Sequence, residues 1–309
     1  MAFVRAIVPI TGENFDPEAY LLANPDVAAA KLDPREHFAR HGRQEHRQQS
    51  NLNFLEESAD FRRKKFSRFR PLLKLDTEQA SFPVSAGDRH FSRSDYKVES
   101  ANAEFGPFID EIVAHPERNY LDLGCGLRPT VYDNCLYVEV YPSLTADLIV
   151  APDCLYPIQD EAFDGIGCFA VLEHTRKPWI VVNELHRMLK PGGTVWIDWP
   201  FLQPVHGYPL HYFNATREGL RSLFEDAGFK TQSLETAAYQ GLDYTFTWLL
   251  DELLNSLPAT TKKRIGRMTM NDLRSMKPGS QFWLDLLSEI DDLTKQRLAC
   301  GNTLVATKG

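Results

Sequence analysis

Short apolar runs alternate with longer segments of helical periodicity from residue 101 onward. This alternation is typical of strands in a parallel sheet that are connected by helices. Helices are predicted at residues 104–114, 178–189 and 216–227. Strands are predicted at residues 120–123, 137–140, 147–150, 165–169, 194–198, 231–237 and 302–307. The pattern therefore predicts a doubly wound α/β fold with a mostly parallel, seven-stranded sheet and an antiparallel final strand.

The first residues of the chain follow a different, helical pattern. Asp16-Pro17 and Asp33-Pro34 each combine a favourable helix N-cap with proline at the first helical position. Gly42 is suited to end the second of these helices. The sequence therefore predicts a short helical module before the main domain.

Three segments follow from these patterns. Residues 1–48 are the predicted N-terminal helical module, 49–100 a linking segment with some helix, and 101–309 the main domain. Within the main domain, apolar residues at helical spacing predict a helical insertion at about residues 241–300, before the last strand.

Composition and charge exclude several classes of protein. The formal net charge is −8, whereas a broad nucleic-acid surface needs clustered lysine and arginine. The apolar runs are too short for a membrane span. The five cysteines are scattered and include no Cys-x-x-Cys pair, which argues against structural zinc and a disulfide framework. We expect reduced thiols and a cytoplasmic location.

A glycine loop follows the first predicted strand of the main domain. The run is Leu121-Asp122-Leu123-Gly124-Cys125-Gly126, and Glu139 lies thirteen positions after Gly126. An apolar strand that enters a Gly-x-Gly turn is typical of nucleotide sites, and an acidic residue after the next strand can accept hydrogen bonds from both ribose hydroxyls. Pro129 stands where a dinucleotide site would have a third glycine, which weakens the case for NAD(P).

Several motifs together resemble one enzyme family. They are the loop at 121–126, Phe163-Asp164-Gly165, Val171-Leu172-Glu173-His174, the run 184–193 that ends in Lys190-Pro191-Gly192-Gly193, and Trp199-Pro200-Phe201. In order and spacing they resemble the Rossmann-like class I methyltransferases that use S-adenosylmethionine, in particular the small-molecule type. The resemblance implies S-adenosylmethionine as cofactor and S-adenosylhomocysteine as product.

The same resemblance assigns roles in binding the cofactor. The backbone of Gly124, Cys125 and Gly126 would wrap the methionine part, and Glu139 would hold the ribose. Phe169 would flank the cofactor after the fourth strand. The remaining assignments are Asp122, which would fix the loop and is a candidate for the ammonium group, and Asp153. Ala151 occupies the position of the family's adenine-binding aspartate; Asp153 is one candidate to replace it, and the backbone at Cys154 or Leu155 is another.

The segment after the fifth strand, residues 200–213, is rich in histidine and tyrosine. It follows the carboxyl end of a strand, where open α/β sheets bind their substrates. Histidine can accept the proton that a hydroxyl loses as it is methylated. We take His206 as the first candidate for the general base, His211 as the second and His174 as the third. These histidines are also a minority candidate for a divalent-metal site, but no carboxylate cluster of the magnesium type accompanies them, so no metal is predicted.

Two resemblances concern the acceptor. The N-terminal module and the run Tyr212-Phe213-Asn214-Ala215-Thr216 resemble parts of methyltransferases from bacterial polysaccharide pathways. They imply a saccharide or nucleotide-sugar hydroxyl as acceptor and a protein partner for the module. Two alternatives remain open: an NAD(P)-dependent oxidoreductase or epimerase, and a non-catalytic scaffold that keeps the fold.

The role assigned to His206 leads to a prediction. We expect His206→Ala to lower methyl transfer strongly while cofactor affinity stays unchanged, because a general base acts on the acceptor. Turnover assays and calorimetric binding of S-adenosylhomocysteine measure the two effects separately. Wild-type turnover in the variant would remove His206 from this role.

Overall fold

The computed structural model describes residues 1–92, 105–207 and 210–299. The strands in these residues are β1 Phe3–Arg5, β2 Ile7–Pro9, β3 Gln48–Ser50, β4 Val84–Ala86, β5 Tyr120–Leu123, β6 Thr130–Tyr132, β7 Cys135–Glu139, β8 Leu148–Val150, β9 Phe163–Phe169 and β10 Leu189–Asp198. The helices are α1 Pro17–Ala23, α2 Pro25–Ala29, α3 Pro34–His37, α4 Phe54–Glu57, α5 Ala59–Phe69, α6 Gly106–Ala114, α7 Pro178–Met188, α8 Arg217–Asp226, α9 Leu242–Asn255, α10 Ala259–Ile265, α11 Met270–Ser275, α12 Gln281–Ser288 and α13 Asp292–Arg297.

A parallel sheet of six strands forms the centre of the protein, in the order β10-β9-β5-β7-β8-β4. Every residue of β5, β7 and β8 is buried, as expected for strands that are covered on both faces. Leu121 and Leu123 pack into the apolar cluster that includes residues of α7, whereas Tyr120 packs with Phe108 and Ile112 of α6 on the other face. The predicted α/β fold with a parallel sheet is confirmed.

Two of the seven predicted strands are not confirmed. Residues 231–237 form no strand, because the stretch is mostly polar and exposed, and only Leu234 and Ala237 in it are partly buried. Residues 302–307, the predicted antiparallel strand, lie outside the described residues. The sixth strand of the sheet is instead β4, within the segment that the sequence assigned to a link. Its three residues are too few to show a periodic pattern, although Val84 is buried at the sheet edge.

The N-terminal residues combine short helices with strands. Asp16 caps α1 by accepting a hydrogen bond from the Ala19 amide at 2.8 Å, and Asp33 caps α3 through the Glu36 amide at 2.8 Å. Strands β2 and β3 pair antiparallel with each other. Strand β1 pairs antiparallel with β6, which directly follows the glycine loop. The N-terminal residues therefore contact the chain next to the candidate site.

The chain divides into two compact units. The first comprises Met1–Trp199 and Gly207–Gln232, and the second comprises Pro200–His206 and the residues from Ser233 onward. The second unit holds α9–α13, where the sequence predicted a helical insertion, and its core is formed by Leu257, Ile265, Leu286 and Ile290. Across the described ranges, no helix is long and apolar enough to cross a membrane.

A buried ion pair joins α5 to the sheet. Lys65 of α5 donates to the Asp147 carboxylate just before β8, and the two side chains are 0% and 1% exposed. The Lys65 ammonium group also lies 4.3 Å from the centre of the Tyr137 ring. Burial lowers the pKa of Lys65, and the charge of Asp147 opposes that change. The pair is thus a charged contact buried inside the protein.

Because the pair is buried, we expect a mutation of Lys65 to destabilise the protein much more than the same mutation of an exposed lysine. We expect Lys65→Met to lower the free energy of unfolding by about 3–5 kcal/mol, because it leaves the Asp147 charge buried without its partner. The neighbouring, exposed Lys64 provides the control, and Lys64→Met is expected to change stability by less than about 0.5 kcal/mol. Urea unfolding measures both, and equal losses in the two variants would contradict this account.

Candidate functional site

The loop after β5 has a backbone that requires glycine. Gly124 and Gly126 have φ values of +71° and +55°, which lie in the left-handed region. A Cβ on Gly124 would also lie 2.2 Å from Cγ2 of Val171. Any side chain at this position would therefore displace the turn after β9. The loop lies at the carboxyl edge of the sheet, where parallel α/β folds bind ligands.

Glu139, at the end of β7, is hydrogen bonded to this loop. One carboxylate oxygen accepts from the Gly126 amide at 2.8 Å, and the other accepts from the Val140 amide at 2.7 Å. The Gly126 carbonyl in turn accepts from the hydroxyls of Ser143, at 2.5 Å, and Thr145, at 2.9 Å. Both sides of the Gly126 peptide are therefore fixed, and the Glu139 carboxylate has a defined orientation at the carboxyl edge.

Asp122 and Arg128 form a buried ion pair at the base of the loop. The guanidinium Nε and Nη2 donate to the two Asp122 oxygens at 2.7 and 3.0 Å. The side chains are only 9% and 3% exposed, for Arg128 and Asp122 respectively. Asp122 could be assigned to the site from the sequence. Arg128 could not, because its pairing with Asp122 depends on how the turn after Gly126 folds back.

The other residues assigned to the cofactor have different environments. Cys125 is fully buried, and burial raises the pKa of its thiol well above the ordinary value, so the thiol stays protonated. The ring of Phe169, at the end of β9, packs 4.7 Å from Phe105 and 5.6 Å from Phe108. Asp153 is exposed after β8 and accepts from the Arg176 amide at 3.3 Å. Its adenine-binding role stays a prediction.

Two of the three candidate histidines lie side by side. His174 is in a short turn after β9, and its ring centre lies 5.5 Å from that of His211. Its Nδ1 is 2.8 Å from the Leu210 carbonyl, so this nitrogen carries the proton in the neutral ring. Burial lowers the pKa of His174, which keeps the ring neutral at pH 7. His211 Nε2 lies 2.5 Å from the side-chain oxygen of Asn214.

His206, the first candidate for the base, belongs to the second unit. There its Nδ1 lies 2.8 Å from the Pro204 carbonyl, and its ring centre lies 4.8 Å from the Trp248 ring of α9. Its role as the base therefore stays a prediction from sequence.

Glu173 is an ionisable residue of this region that was named above only as part of a motif, without a functional role. Its side chain is completely buried, and neither carboxyl oxygen has a hydrogen-bond partner among the described residues. Burial, and to a lesser extent the charge of Asp198, raises the pKa of Glu173 to about 8, while the residue's own backbone amide opposes this. One oxygen lies 3.9 Å from Nε2 of His174. Burial depends on distant elements, so no local pattern could have revealed this carboxyl.

The Glu173 backbone also organises the histidine segment. Its carbonyl accepts hydrogen bonds from the amides of Tyr212, at 2.6 Å, and Phe213, at 3.3 Å. The hydrogen bond between His174 Nδ1 and the Leu210 carbonyl also ties the histidine segment to this turn. The first unit therefore brings a carboxyl group and two imidazoles together beyond the carboxyl ends of β9 and β10, and such groups can accept or donate a proton near neutral pH.

One family model matches the part of the chain that carries this edge of the sheet. It is described as a methyltransferase domain and matches residues 121–197, from the start of the glycine loop to the end of β10. The matched residues are similar to a methyltransferase domain, and they include the glycine loop, Glu139, Glu173 and His174.

Solved structures with weak overall similarity also match the chain. One comes from the complex that contains the Haloferax volcanii Trm112 methyltransferase activator, with 17% identity and a TM-score of 0.34, covering 39% of this chain and 65% of that one. The YcgJ protein of Bacillus subtilis has 14% identity and a TM-score of 0.35, over 52% and 86% of the two chains. Phosphoethanolamine N-methyltransferase 2 of Haemonchus contortus, in complex with S-adenosyl-L-methionine, has 15% identity and a TM-score of 0.32, over 58% and 47%.

This chain thus covers less than two thirds of the length of two of these three proteins. No curated protein matches the chain.

The raised pKa of Glu173 predicts a pH-dependent stability. Between the ordinary pKa of 4.5 and the folded value of about 8, the folded state holds a proton that the unfolded state has lost. This group therefore lowers the free energy of unfolding by up to about 1.4 kcal/mol for each pH unit as the pH rises through that range. We expect Glu173→Gln to remove this slope, so that the variant gains stability relative to wild type between pH 5 and pH 8. Chemical unfolding at several pH values measures the difference.

The exposed Glu225 provides a matched control, because Glu225→Gln changes the same functional group on the surface. That control should keep the wild-type profile. A Glu173→Gln profile parallel to wild type would show that this carboxyl titrates normally.

Proposed function

We propose that this protein is a methyltransferase that takes its methyl group from S-adenosylmethionine. The observation that carries the proposal is the Glu139 carboxylate, which the Gly126 and Val140 amides orient at the carboxyl edge of the sheet. An ionised carboxylate can accept several hydrogen bonds, so a carboxylate oriented in this way suits the two adjacent hydroxyls of a ribose. The match of residues 121–197 to a methyltransferase domain supports the same cofactor.

The residues present fit this cofactor. Backbone without side chains at Gly124 and Gly126 permits close approach, and we assign Gly124, Cys125 and Gly126 to the methionine part and Glu139 to the ribose. Phe169 and Asp153 are the proposed neighbours of the cofactor beyond the next two strands. When bound, the cofactor supplies a methyl group on a sulfonium, which an acceptor displaces in line.

The chain after Gly126 argues against a dinucleotide cofactor. Dinucleotide sites place the pyrophosphate at the N-terminus of a helix that follows the glycine loop. Here strand β6 follows the loop, and the Pro129 carbonyl accepts hydrogen bonds from the amides of Ala6, at 2.9 Å, and Ile7, at 3.3 Å. No helix N-terminus is therefore available at this position for a pyrophosphate, which disfavours an oxidoreductase or epimerase.

As the acceptor we propose a hydroxyl of a saccharide or nucleotide-sugar. This rests on the resemblance of the N-terminal module and of residues 212–216 to methyltransferases of polysaccharide pathways. A hydroxyl acceptor loses its proton to a base as the new O–CH₃ bond forms. His206, His211 and His174 are the candidates, and the neutral state of His174 is suited to accepting that proton. The N-terminal module remains a proposed contact for a protein partner, and the location a proposed cytoplasmic one.

Cofactor binding provides the direct test. We expect S-adenosylhomocysteine to bind the wild-type protein in isothermal titration, and Glu139→Gln to weaken binding by about tenfold or more, because the amide replaces one of the two charged acceptors. Glu117→Gln, an exposed change at the amino end of the sheet, provides the matched control and should bind as wild type. Titration with NAD⁺ is expected to show no binding.

Failure of the wild-type protein to bind S-adenosylhomocysteine would overturn the proposed function. Binding without turnover on any saccharide or nucleotide-sugar would favour the scaffold alternative.

A further inference from the structure

The glycine loop lacks its usual support on one side. In open α/β folds a helix follows the first strand and its turn. In this protein Gly126 is followed by β6 and then by β7, so no helix directly follows the loop along the chain. Glycine adopts many backbone conformations, including the left-handed ones of Gly124 and Gly126, so other contacts must hold the loop in the one that can receive a cofactor.

The Asp122–Arg128 pair is in the right place to do this. Asp122 lies two residues before Gly124, and Arg128 lies two residues after Gly126. Their bidentate contact therefore joins the two ends of the loop. The pair is also linked to the loop's other supports: the Arg128 amide donates to the Thr145 hydroxyl at 3.1 Å, and that hydroxyl donates to the Gly126 carbonyl at 2.9 Å.

Arginine is well suited to this contact. Its planar guanidinium presents two N–H groups that match the two oxygens of a carboxylate, whereas lysine offers a single charged point. Both Asp122 oxygens accept from this guanidinium, and the pair is almost excluded from water. A carboxylate bound in this way has its charge already balanced inside the protein.

We propose that Arg128 is a positioning residue for the cofactor, and that it commits the Asp122 carboxylate to holding the glycine loop rather than to binding the methionine ammonium group. The inference rests on the proposed function, because it concerns how this loop receives S-adenosylmethionine. It differs from the expectation from sequence, in which Asp122 was a candidate to bind the methionine ammonium group directly. The side chain of Arg128 acts through Asp122 and the loop.

Binding measurements on two variants test the proposal. Arg128→Lys keeps the charge but loses the two-pronged contact, and Asp122→Asn keeps the size of the side chain but loses its charge. We expect each to weaken S-adenosylhomocysteine binding by about tenfold, and the double variant to weaken it by clearly less than the product of the two single effects, because both changes break one contact. Arg68→Lys is the matched control. Arg68 binds the Asn119 side chain and nearby carbonyls at the amino end of β5, so its loss affects stability without affecting binding.

An analogue of S-adenosylhomocysteine without the methionine amino group separates positioning from direct binding. Because the proposal assigns no ammonium contact to Asp122, the ratio of the two dissociation constants should be the same in wild type and in Asp122→Asn. Direct binding predicts that Asp122→Asn removes most of the preference for the ligand that carries the amino group. Thermal unfolding of each variant identifies any loss of folded protein, and Asp122→Asn gives the ratio even if Arg128→Lys folds poorly.

The outcomes distinguish the two proposals. Wild-type protein that does not bind S-adenosylhomocysteine would overturn the proposed function itself. Wild-type protein that binds, together with unchanged affinity in Arg128→Lys or a lost amino-group preference in Asp122→Asn, would overturn the positioning role and leave the proposed function standing.

Discussion

The hydrogen bond between the Gly126 amide and the Glu139 carboxylate connects the ends of two central strands, β5 and β7. Along the chain only the short strand β6 lies between β5 and β7, and side chains fix the geometry of the loop. The hydroxyls of Ser143 and Thr145 fix the Gly126 carbonyl, and Arg128 joins the loop's base to Asp122. These polar contacts are buried, and buried polar groups that are fully paired define one conformation strongly.

The N-terminal residues take part in the same arrangement. Strand β1 pairs with β6, and the amides of Ala6 and Ile7 bind the Pro129 carbonyl. Edge strands such as β6 present backbone groups that need partners, and the N-terminal strand supplies them. The N-terminal segment is therefore part of the structure that surrounds the glycine loop, in addition to any contact it makes with a partner.

Local patterns predicted the parts of the fold that depend on local physics. The apolar runs of β5, β7 and β9 and the proline and aspartate caps of α1 and α3 are visible in the sequence because their signals lie within a few residues. Strand β4 was missed because three residues carry no period, and β1 and β6 were missed because each is stable only through pairing with a distant segment. The expected strand at 231–237 has β-compatible residues but no apolar face to bury.

The residues of the candidate site also divide into those with a local signal in the sequence and those that depend on distant parts of the fold. Gly124, Gly126 and Glu139 could be assigned from sequence, because a turn that requires glycine and an acidic residue after the next strand are local features. Arg128 and Glu173 could not be assigned, because their roles come from burial and from partners that the fold brings together. His206 lies in the segment 200–206, which belongs to the second unit, and its role as the base stays a prediction.

The structure of the protein crystallised with S-adenosylhomocysteine tests the central claim most directly. The account predicts both ribose hydroxyls within hydrogen-bond distance of the Glu139 carboxylate, with the Gly126–Glu139 bond retained. A ligand whose ribose lies away from Glu139, or a loop that abandons this bond to bind it, would contradict the account.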